Sequence, residues 1–139
     1  PTAILNVKVC GSESAVDSRI LETLESHGVD LIVLSGYMKI MSAAVIRKYA
    51  GRIFNIHPSL LPKYGGRGMW GMHVHRAVIA AGESETGISI HEVTEHYDEG
   101  PVIAQMRVPV LPSDTAELLA ERVKGEEPPF LVRTIAAMQ

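Results

Sequence analysis

Apolar residues in the first half of the chain alternate between short continuous runs and helical spacing. The run over 30–34 lacks polar alternation, as expected of a parallel strand covered on both faces. Three runs predict strands: residues 3–9, 30–34 and 52–55. Two segments between them predict helices: residues 12–28, from a cap at Ser12 or Ser14 to a stop at Gly28, and residues 42–49.

The second half of the chain has a different pattern, which starts with a loop. Residues 57–72 are rich in glycine and proline, and loops of this length are usually functional or disordered. The elements predicted after it are a helix over 74–81, strands over 86–93 and 102–110, and a helix opened by a capping box at 114–117. Pro128 and Pro129 should break this last helix, because proline lacks an N–H donor.

Together these elements predict an α/β fold with a doubly wound, largely parallel sheet and an antiparallel strand pair in the second half. A chain of 139 residues is long enough for one domain with its own core and too short for two. We therefore expect a single domain over residues 1–139.

Composition narrows the class of partner. The net charge of −3 and the absence of a lysine or arginine stripe argue against nucleic acid. No apolar run approaches the roughly 18 residues of a membrane span, and no signal peptide is apparent. The single cysteine, Cys10, cannot form an intrachain disulfide and is expected to be a small buried residue on a strand. A cytoplasmic protein with a small-molecule substrate is the expectation.

Asn55 and His57 are the first candidates for chemistry. They follow a predicted strand, and alternation puts them on one side with Ile56 on the other. An amide beside an imidazole at the carboxyl end of a strand suits acyl transfer, because the amide can hold a developing oxyanion. The alternative is a buried asparagine and histidine that only satisfy the surrounding backbone.

A second polar stretch joins the last two predicted strands, over residues 94–101. Within it, Asp98 could face His57 and raise the pKa of the imidazole, since a nearby carboxylate favours the charged form. The alternative is a solvated hairpin tip.

Three sequence segments resemble the phosphoribosylglycinamide formyltransferase family: NIHPSLLPKY at 55–64, HVHRAVIAAGESETGISIHEVTEHYDEGPVIAQ at 73–105 and GVDLIVLSGYMKIMS at 28–42. Pro58 separates the chain from sister families, because formyltetrahydrofolate deformylases commonly have histidine there and methionyl-tRNA formyltransferases usually have glycine. The extra domains of those two families are not expected here.

The resemblance implies transfer of a formyl group from 10-formyltetrahydrofolate to the amine of glycinamide ribonucleotide, in de novo purine biosynthesis. It assigns catalysis to Asn55, to a protonated His57 and to Asp98, and contact with the substrate ribose to Glu127. It implies that the folate site comprises Met38, Lys39, Ile40, Met41, Asn55, Thr94, Glu95, His96, Tyr97 and Asp98. On periodicity alone, Met38 and Ile40 would be core residues.

The resemblance is incomplete at three places. The family opens with a βα unit whose glycine-rich loop binds phosphate, and the chain from Pro1 onward is expected to lack this unit. Glu13 stands where members often have an arginine, and Pro128 and Pro129 directly follow Glu127. Two alternatives therefore stay open: a deformylase-type hydrolase, and a folate-binding remnant without catalysis. The assembly could be a homodimer.

Two further motifs are expected to be structural. His73, His75, His91 and His96 lack a cysteine pair or an HExxH motif, so no metal is expected. The glycine-rich segment 65–71 lacks the Lys-Ser/Thr ending of a phosphate loop. We expect it to be a mobile flap over the site, with Trp70 as its packing anchor.

Overall fold

A mixed sheet forms the centre of the chain within residues 1–138, which a computed structural model describes. Its strands there are β1 (Ile32–Leu34), β2 (Ile53–His57), β3 (Glu85–Glu92) and β4 (Val102–Pro109). The helices of this part are α1 (Val7–Cys10), α2 (Glu13–Ser26), α3 (Ala43–Lys48), α4 (Met72–Ala80) and α5 (Ala116–Ala137). None of these described helices has both the length and the apolar character to cross a lipid bilayer.

The strands lie in the order β1-β2-β3-β4. β1 and β2 are parallel and joined through α3, whereas β2–β3 and β3–β4 are antiparallel. The α/β class and the antiparallel pair in the second half are thus confirmed, and the parallel part consists of β1 and β2 among the described strands. Register places Asn55 of β2 opposite His91 of β3, and His57 opposite Ser89.

The predicted strand over 3–9 is wrong. Residues 3–5 have no regular secondary structure, and residues 7–10 form the single turn of α1, in which the Asn6 side chain accepts a hydrogen bond from the Val9 amide. Gly11 ends the turn with a positive φ of 94°. Cys10 accordingly lies on a helical turn and is partly exposed. An apolar run does not make a strand unless a neighbouring strand takes up its backbone hydrogen bonds.

Two apolar clusters cover the two faces of the sheet. Ile53 of β2 packs with Val45 and Tyr49 of α3 on one face. Phe54 and Ile56 lie on the opposite face of β2, where they belong to the cluster beneath α4 and α5. Each fully buried aliphatic side chain contributes about 1.5–3 kcal/mol, so both faces hold β2 firmly. β2 is therefore a rigid support for the polar residues at its end.

The expected break at Pro128 and Pro129 is also wrong, because α5 runs through both residues. Each proline removes a hydrogen bond to a carbonyl four residues earlier, at Lys124 and Gly125, and both of those residues are exposed. Water can therefore solvate the freed carbonyls. Leu119, Val123 and Phe130 are buried on both sides of the proline pair, and their burial outweighs the loss.

The start of α2 follows the expected chemistry, whereas the capping box expected over 114–117 is wrong, because Thr115 rather than Asp114 caps α5. Ser12 caps α2 by accepting from the Ala15 amide. At α5 the cap is Thr115, which accepts from Leu118, whereas Asp114 accepts from the Leu111 amide and pairs with Arg122 at 2.7 Å. This ion pair lowers the pKa of Asp114 to about 2.

Candidate functional site

A cavity of about 630 Å³ opens at the carboxyl ends of β1 and β2. Open α/β sheets place their ligands at this edge. The cavity wall consists of the end of β2, the loop after β1, the segment 66–72, the turn 94–98 and one face of α5. The sheet edge therefore gathers segments that are far apart in the sequence.

Asn55 and His57 both line the cavity, as alternation along β2 predicts. Ile56, between them, packs in the apolar core. His57 is almost fully buried, and its Nε2 lies 2.8 Å from the carbonyl oxygen of Tyr64. Because a carbonyl only accepts, Nε2 carries the hydrogen and Nδ1 faces the site.

Asp98 meets His57 in the folded chain, as the sequence hypothesis requires. Asp98 Oδ2 lies 3.6 Å from His57 Nδ1 and accepts a hydrogen bond of 3.0 Å from the Gly66 amide. Asp98 has a positive φ of 54°, an uncommon conformation for a residue with a side chain. The turn thus holds the carboxylate against the imidazole under local strain.

The charge state expected for His57 is wrong. Burial lowers the pKa of His57, and this effect outweighs the upward shift from Asp98 and from the Tyr64 carbonyl. For Asp98, burial raises the pKa, but a hydrogen bond with His91, the neighbouring His57 imidazole and the Gly66 amide together bring it below its ordinary value. The resting pair is therefore an ionised carboxylate beside a neutral imidazole.

His91 belongs to the same cluster, although the sequence suggested it only as a rejected metal ligand. Its side chain is buried, with Nε2 at 3.2 Å from Asn55 Nδ2 and 3.3 Å from Asp98 Oδ1. Its Nδ1 lies 3.0 Å from the carbonyl oxygen of Glu92. Only the β2–β3 register brings His91 beside Asn55, and a single sequence does not contain that register.

The loop after β2 is fixed by side chains of the next two strands. Ser89 accepts from the Leu61 amide and donates to the Ser59 carbonyl at 2.6 Å. Gln105 of β4 donates to the Leu61 carbonyl and to Ser89. The Leu61–Pro62 peptide bond is cis. This network determines where the Tyr64 carbonyl meets His57.

The segment after β1 supplies an apolar wall, and Met38, Lys39, Ile40 and Met41 all line the cavity. Met38 is 62% exposed and Ile40 49%, so the alternative of ordinary core residues is wrong for both. Met41 is buried and packs beneath them. Lys39 pairs with Glu13 at 2.8 Å at the mouth. Exposed apolar side chains in a concave wall are typical of ligand contact.

The turn between β3 and β4 forms another part of the cavity wall. Thr94, His96, Tyr97 and Asp98 line it. Glu95 does not; its carboxylate is 4.0 Å from Arg47 at the surface. The structure therefore brings together four of the five residues expected from this turn.

The α5 face of the cavity includes Glu127 and Lys124. Burial raises the pKa of Glu127, while the charge of Lys124 lowers it in part. The helix continues past Glu127, so the side chain is presented from regular helical backbone.

The glycine-rich segment lines the cavity, with Trp70 at its centre. Trp70 is 48% exposed, and its ring centroid lies 4.8 Å from that of His73 in an edge-on arrangement. Its expected role as a packing anchor is therefore wrong. Gly66 is the attachment point, through its hydrogen bond to Asp98.

His75 on α4 is a second residue that the sequence suggested only as a rejected metal ligand. It is buried, lines the cavity, and its Nδ1 has no hydrogen-bond partner in the structure. Burial, with a smaller effect of His57, lowers its pKa. Across residues 1–138, no group of three or more histidine, cysteine or acidic side chains is placed to hold a metal ion.

Comparison with known proteins places this geometry in context. A family model described as formyl transferase matches residues 1–135. The chloroplastic phosphoribosylglycinamide formyltransferase of Vigna unguiculata is 50% identical over 119 residues, which are 86% of this chain and 38% of that protein. The chain spans about half the length, or less, of the curated relatives to which it is 40–50% identical.

Solved structures agree with the sequence relatives. The crystal structure of phosphoribosylglycinamide formyltransferase from Brucella melitensis has a TM-score of 0.85 and 41% identity, over 96% of this chain and 66% of that one. A formyltetrahydrofolate deformylase from Pseudomonas syringae pv. tomato has a TM-score of 0.80 and 28% identity, over 90% of this chain and 40% of its own.

Proposed function

Because the chain belongs to the formyl transferase family, we propose that it transfers a formyl group from 10-formyltetrahydrofolate to the amine of glycinamide ribonucleotide. The observation that supports this function is the cluster of Asn55, His57 and Asp98 at one end of an apolar-walled cavity. An amide donor, a neutral imidazole and an ionised carboxylate are the groups that acyl transfer to an amine requires.

The chemistry begins with attack of the substrate amine on the formyl carbon. A C–N bond forms, and negative charge develops on the formyl oxygen, where the Asn55 amide donates a hydrogen bond. His57 Nδ1, which lacks a hydrogen in the neutral imidazole, accepts the proton that the amine releases. Asp98, 3.6 Å away, stabilises the imidazolium that results.

Collapse of the tetrahedral intermediate completes the transfer. The bond between the formyl carbon and N10 of the folate breaks, and His57 returns the proton to N10. The products are the formylated amine and tetrahydrofolate, so His57 and Asp98 end in their starting states. In this mechanism His57 is a proton carrier rather than a permanently charged oxyanion donor.

The cavity wall supports a folate as the formyl donor. Met38 and Ile40 offer exposed apolar surface to a flat heteroaromatic ring, and the turn 94–98 faces them with backbone and polar groups. Lys39, which pairs with Glu13, also lines the cavity and offers a cation for the carboxylates of a folate tail. Glu127 lines the cavity from α5, which supports its assignment to the hydroxyls of the nucleotide. A mostly apolar pocket with a few polar groups suits such a ligand.

Hydrolysis of the same donor is the second candidate, since a deformylase shares the fold at 28% identity. In that reaction water replaces the amine. Pro58, which follows His57 directly, favours transfer through the family resemblance described above. A third candidate, a folate-binding remnant, would retain the apolar wall without turnover.

One assay separates the three candidates. The protein is incubated with 10-formyltetrahydrofolate, with and without glycinamide ribonucleotide, and formylated nucleotide and free formate are measured separately. Transfer predicts formylated nucleotide only when both substrates are present. Formate without nucleotide supports the hydrolase, and folate binding without either product supports the remnant.

Composition supports a class of substrate, and we add proposals for the location and the assembly of the protein. A net charge of −3 and no basic stripe favour a small-molecule substrate over nucleic acid. We also propose a cytoplasmic location and retain a homodimer as an assembly to be tested. Fractionation and sedimentation of the native protein address both proposals.

A further inference from the structure

Tyr64 contacts His57 through its backbone and a carboxylate outside the cavity through its side chain. Its carbonyl oxygen lies 2.8 Å from His57 Nε2. Its phenol hydroxyl donates to Glu83 Oε1 at 2.9 Å, in the connection between α4 and β3. Neither Tyr64 nor Glu83 is one of the described residues that line the cavity. A single residue therefore links the buried imidazole to an acceptor that no ligand in the cavity touches.

The backbone of Tyr64 has an unfavourable conformation. Its φ is 55°, in the left-handed region that residues with a Cβ adopt rarely. The residue before it is held by Ser59, whose hydroxyl donates to the Lys63 carbonyl at 2.6 Å. The next held residue is Gly66, whose amide donates to Asp98. Tyr64 lies between these two points and needs a restraint of its own, because a strained residue persists only when its surroundings hold it.

Glu83 is suited to provide that restraint. Hydrogen bonds from Lys63 and from Tyr64 lower the pKa of Glu83, so the carboxylate is ionised at neutral pH. A hydrogen bond to an ionised acceptor is stronger than one between neutral groups. The Lys63 side chain is 64% exposed, and solvent weakens its pair with Glu83. Tyr64 is partly buried against the apolar cluster beneath α4 and α5, so water competes less for the phenol bond.

We propose that Tyr64 and Glu83 are positioning residues that form a clamp for His57. The bond from the Tyr64 hydroxyl to Glu83 holds the Tyr64 carbonyl against His57 Nε2, and the ring is thereby turned with Nδ1 toward Asp98. A carbonyl only accepts, so Nε2 donates to it whether the ring is neutral or protonated. Without the phenol bond, Tyr64 can relax toward an ordinary φ, which withdraws the carbonyl from the imidazole.

The kinetic part of this inference rests on the proposed formyl transfer, and a spectroscopic part is independent of activity. Burial lowers the pKa of His57, Asp98 and the Tyr64 carbonyl raise it, and His91 lowers it; His75 faces the ring from α4. Tyr64→Phe keeps the aromatic ring and removes the hydroxyl, so the pKa of His57 should be lowered further. NMR titration of the full chain labelled with ¹⁵N-histidine measures this change, with the resonance assigned by its loss in His57→Ala.

The direction of the change separates a lost clamp from a loosened site. A site that opens to water would move the pKa of His57 upward, toward its ordinary value of 6.5, because burial is the main cause of its depression. Glu83→Ala should reproduce the lowered pKa, since the hydroxyl then lacks its acceptor. A lowered pKa in both variants supports the clamp. An unchanged or raised pKa overturns it, whether or not the protein transfers formyl groups.

Kinetics supply the second arm. Tyr64→Phe and Glu83→Ala should each lower kcat by about 5-fold or more and change KM for either substrate much less, because a displacement of about 1 Å can cost up to about 10²-fold. The acid limb of the pH–rate profile should move to lower pH with the pKa of His57. Glu83→Gln, whose side-chain oxygen can still accept from the phenol, should recover most of the loss. A Glu83→Gln variant as slow as Glu83→Ala would contradict the clamp.

The control and a double-mutant cycle complete the test. Glu85→Ala removes a nearby exposed carboxylate that pairs with Arg107 at 2.9 Å, and it should retain both kcat and the pKa of His57. In a Tyr64→Phe background, Glu83→Ala should lower kcat by less than about 2-fold, because the contact is already lost. Full multiplication of the two losses would overturn the proposal. Thermal unfolding identifies any variant that fails to fold, and the comparison of Glu83→Ala with Glu83→Gln then decides.

Discussion

His57 Nδ1 lies 3.6 Å from Asp98 Oδ2, and both side chains are at most 10% exposed. Burial nevertheless lowers the pKa of His57, because desolvation of the charged imidazole outweighs the attraction of the carboxylate. The pair is thus set to take up a proton during the reaction rather than to hold one beforehand. The carboxylate makes proton uptake less unfavourable by an amount that mutation can measure.

Asp98→Asn should lower the pKa of His57 further, because it removes the negative charge that raises this pKa. The rate of formyl transfer should decline by about 10²-fold or more, as expected when general acid–base catalysis is impaired. NMR titration of the His57 ring and steady-state kinetics provide the two measurements. Asp30→Asn, at an exposed carboxylate, is the control, and an unchanged His57 titration would contradict the account.

Stability should decline on mild acidification. The pKa values of His57 and His75 both lie below 6.5 in the folded protein, so the unfolded chain binds more protons as the pH falls through that value. The free energy of unfolding should therefore have its full value above about pH 6.5 and decrease below that pH. Urea unfolding between pH 7.5 and pH 5 tests this, with His75→Leu expected to flatten the dependence and exposed His27→Gln as control. A stability that rises on acidification would reverse the assigned signs.

Gly65→Ala should damage the site without a charge change. A Cβ at this position would lie 2.4 Å from Leu61 Cδ2 and 3.3 Å from Asp98 Cβ, so the Leu61 side chain has to move and Asp98 has to shift by a few tenths of an ångström. Activity should decline because the spacing of Asp98 and His57 changes. Gly125→Ala is the matched control: its Cβ meets no atom within 4 Å, and alanine in a helix is favoured by up to about 1 kcal/mol. Equal activity in both variants would show that Gly65 has no steric role.

The segment 65–72 should respond to ligands. Its Gly66 amide is bonded to Asp98, whereas Trp70 remains half exposed over the cavity. Hydrogen exchange of its backbone should be faster than in the flanking strands without ligand and should slow when folate and nucleotide bind. Equal protection in the two states would identify the segment as a rigid loop.

The elements that the sequence predicted well depend on local signals. The predicted strands at 86–93 and 102–110 correspond to β3 and β4 because apolar runs bounded by turn residues contain the necessary information. α2 begins at its serine cap for the same reason. The segment 3–9 was mispredicted because no neighbouring strand takes up its backbone hydrogen bonds. The proline pair was mispredicted because the burial of α5 on both sides of it depends on residues distant in sequence.

The site could be predicted only in part for a similar reason. Asn55 and His57 are two residues apart on one strand, so alternation alone placed them together. His91 joins them through strand register, and His75 through packing of α4. The neutral state of His57 depends on burial, which no local pattern around residue 57 contains.

One comparison tests directly whether Asn55 and His57 act on the reacting formyl group. Formyl transfer and the affinity for a folate analogue are measured for the wild type, Asn55→Ala and His57→Ala, with His27→Ala as the control. The account predicts that kcat falls by at least about 10²-fold in both site variants while analogue affinity changes far less, because these groups act mainly in the transition state. Near-normal turnover in a folded His57→Ala protein would contradict it.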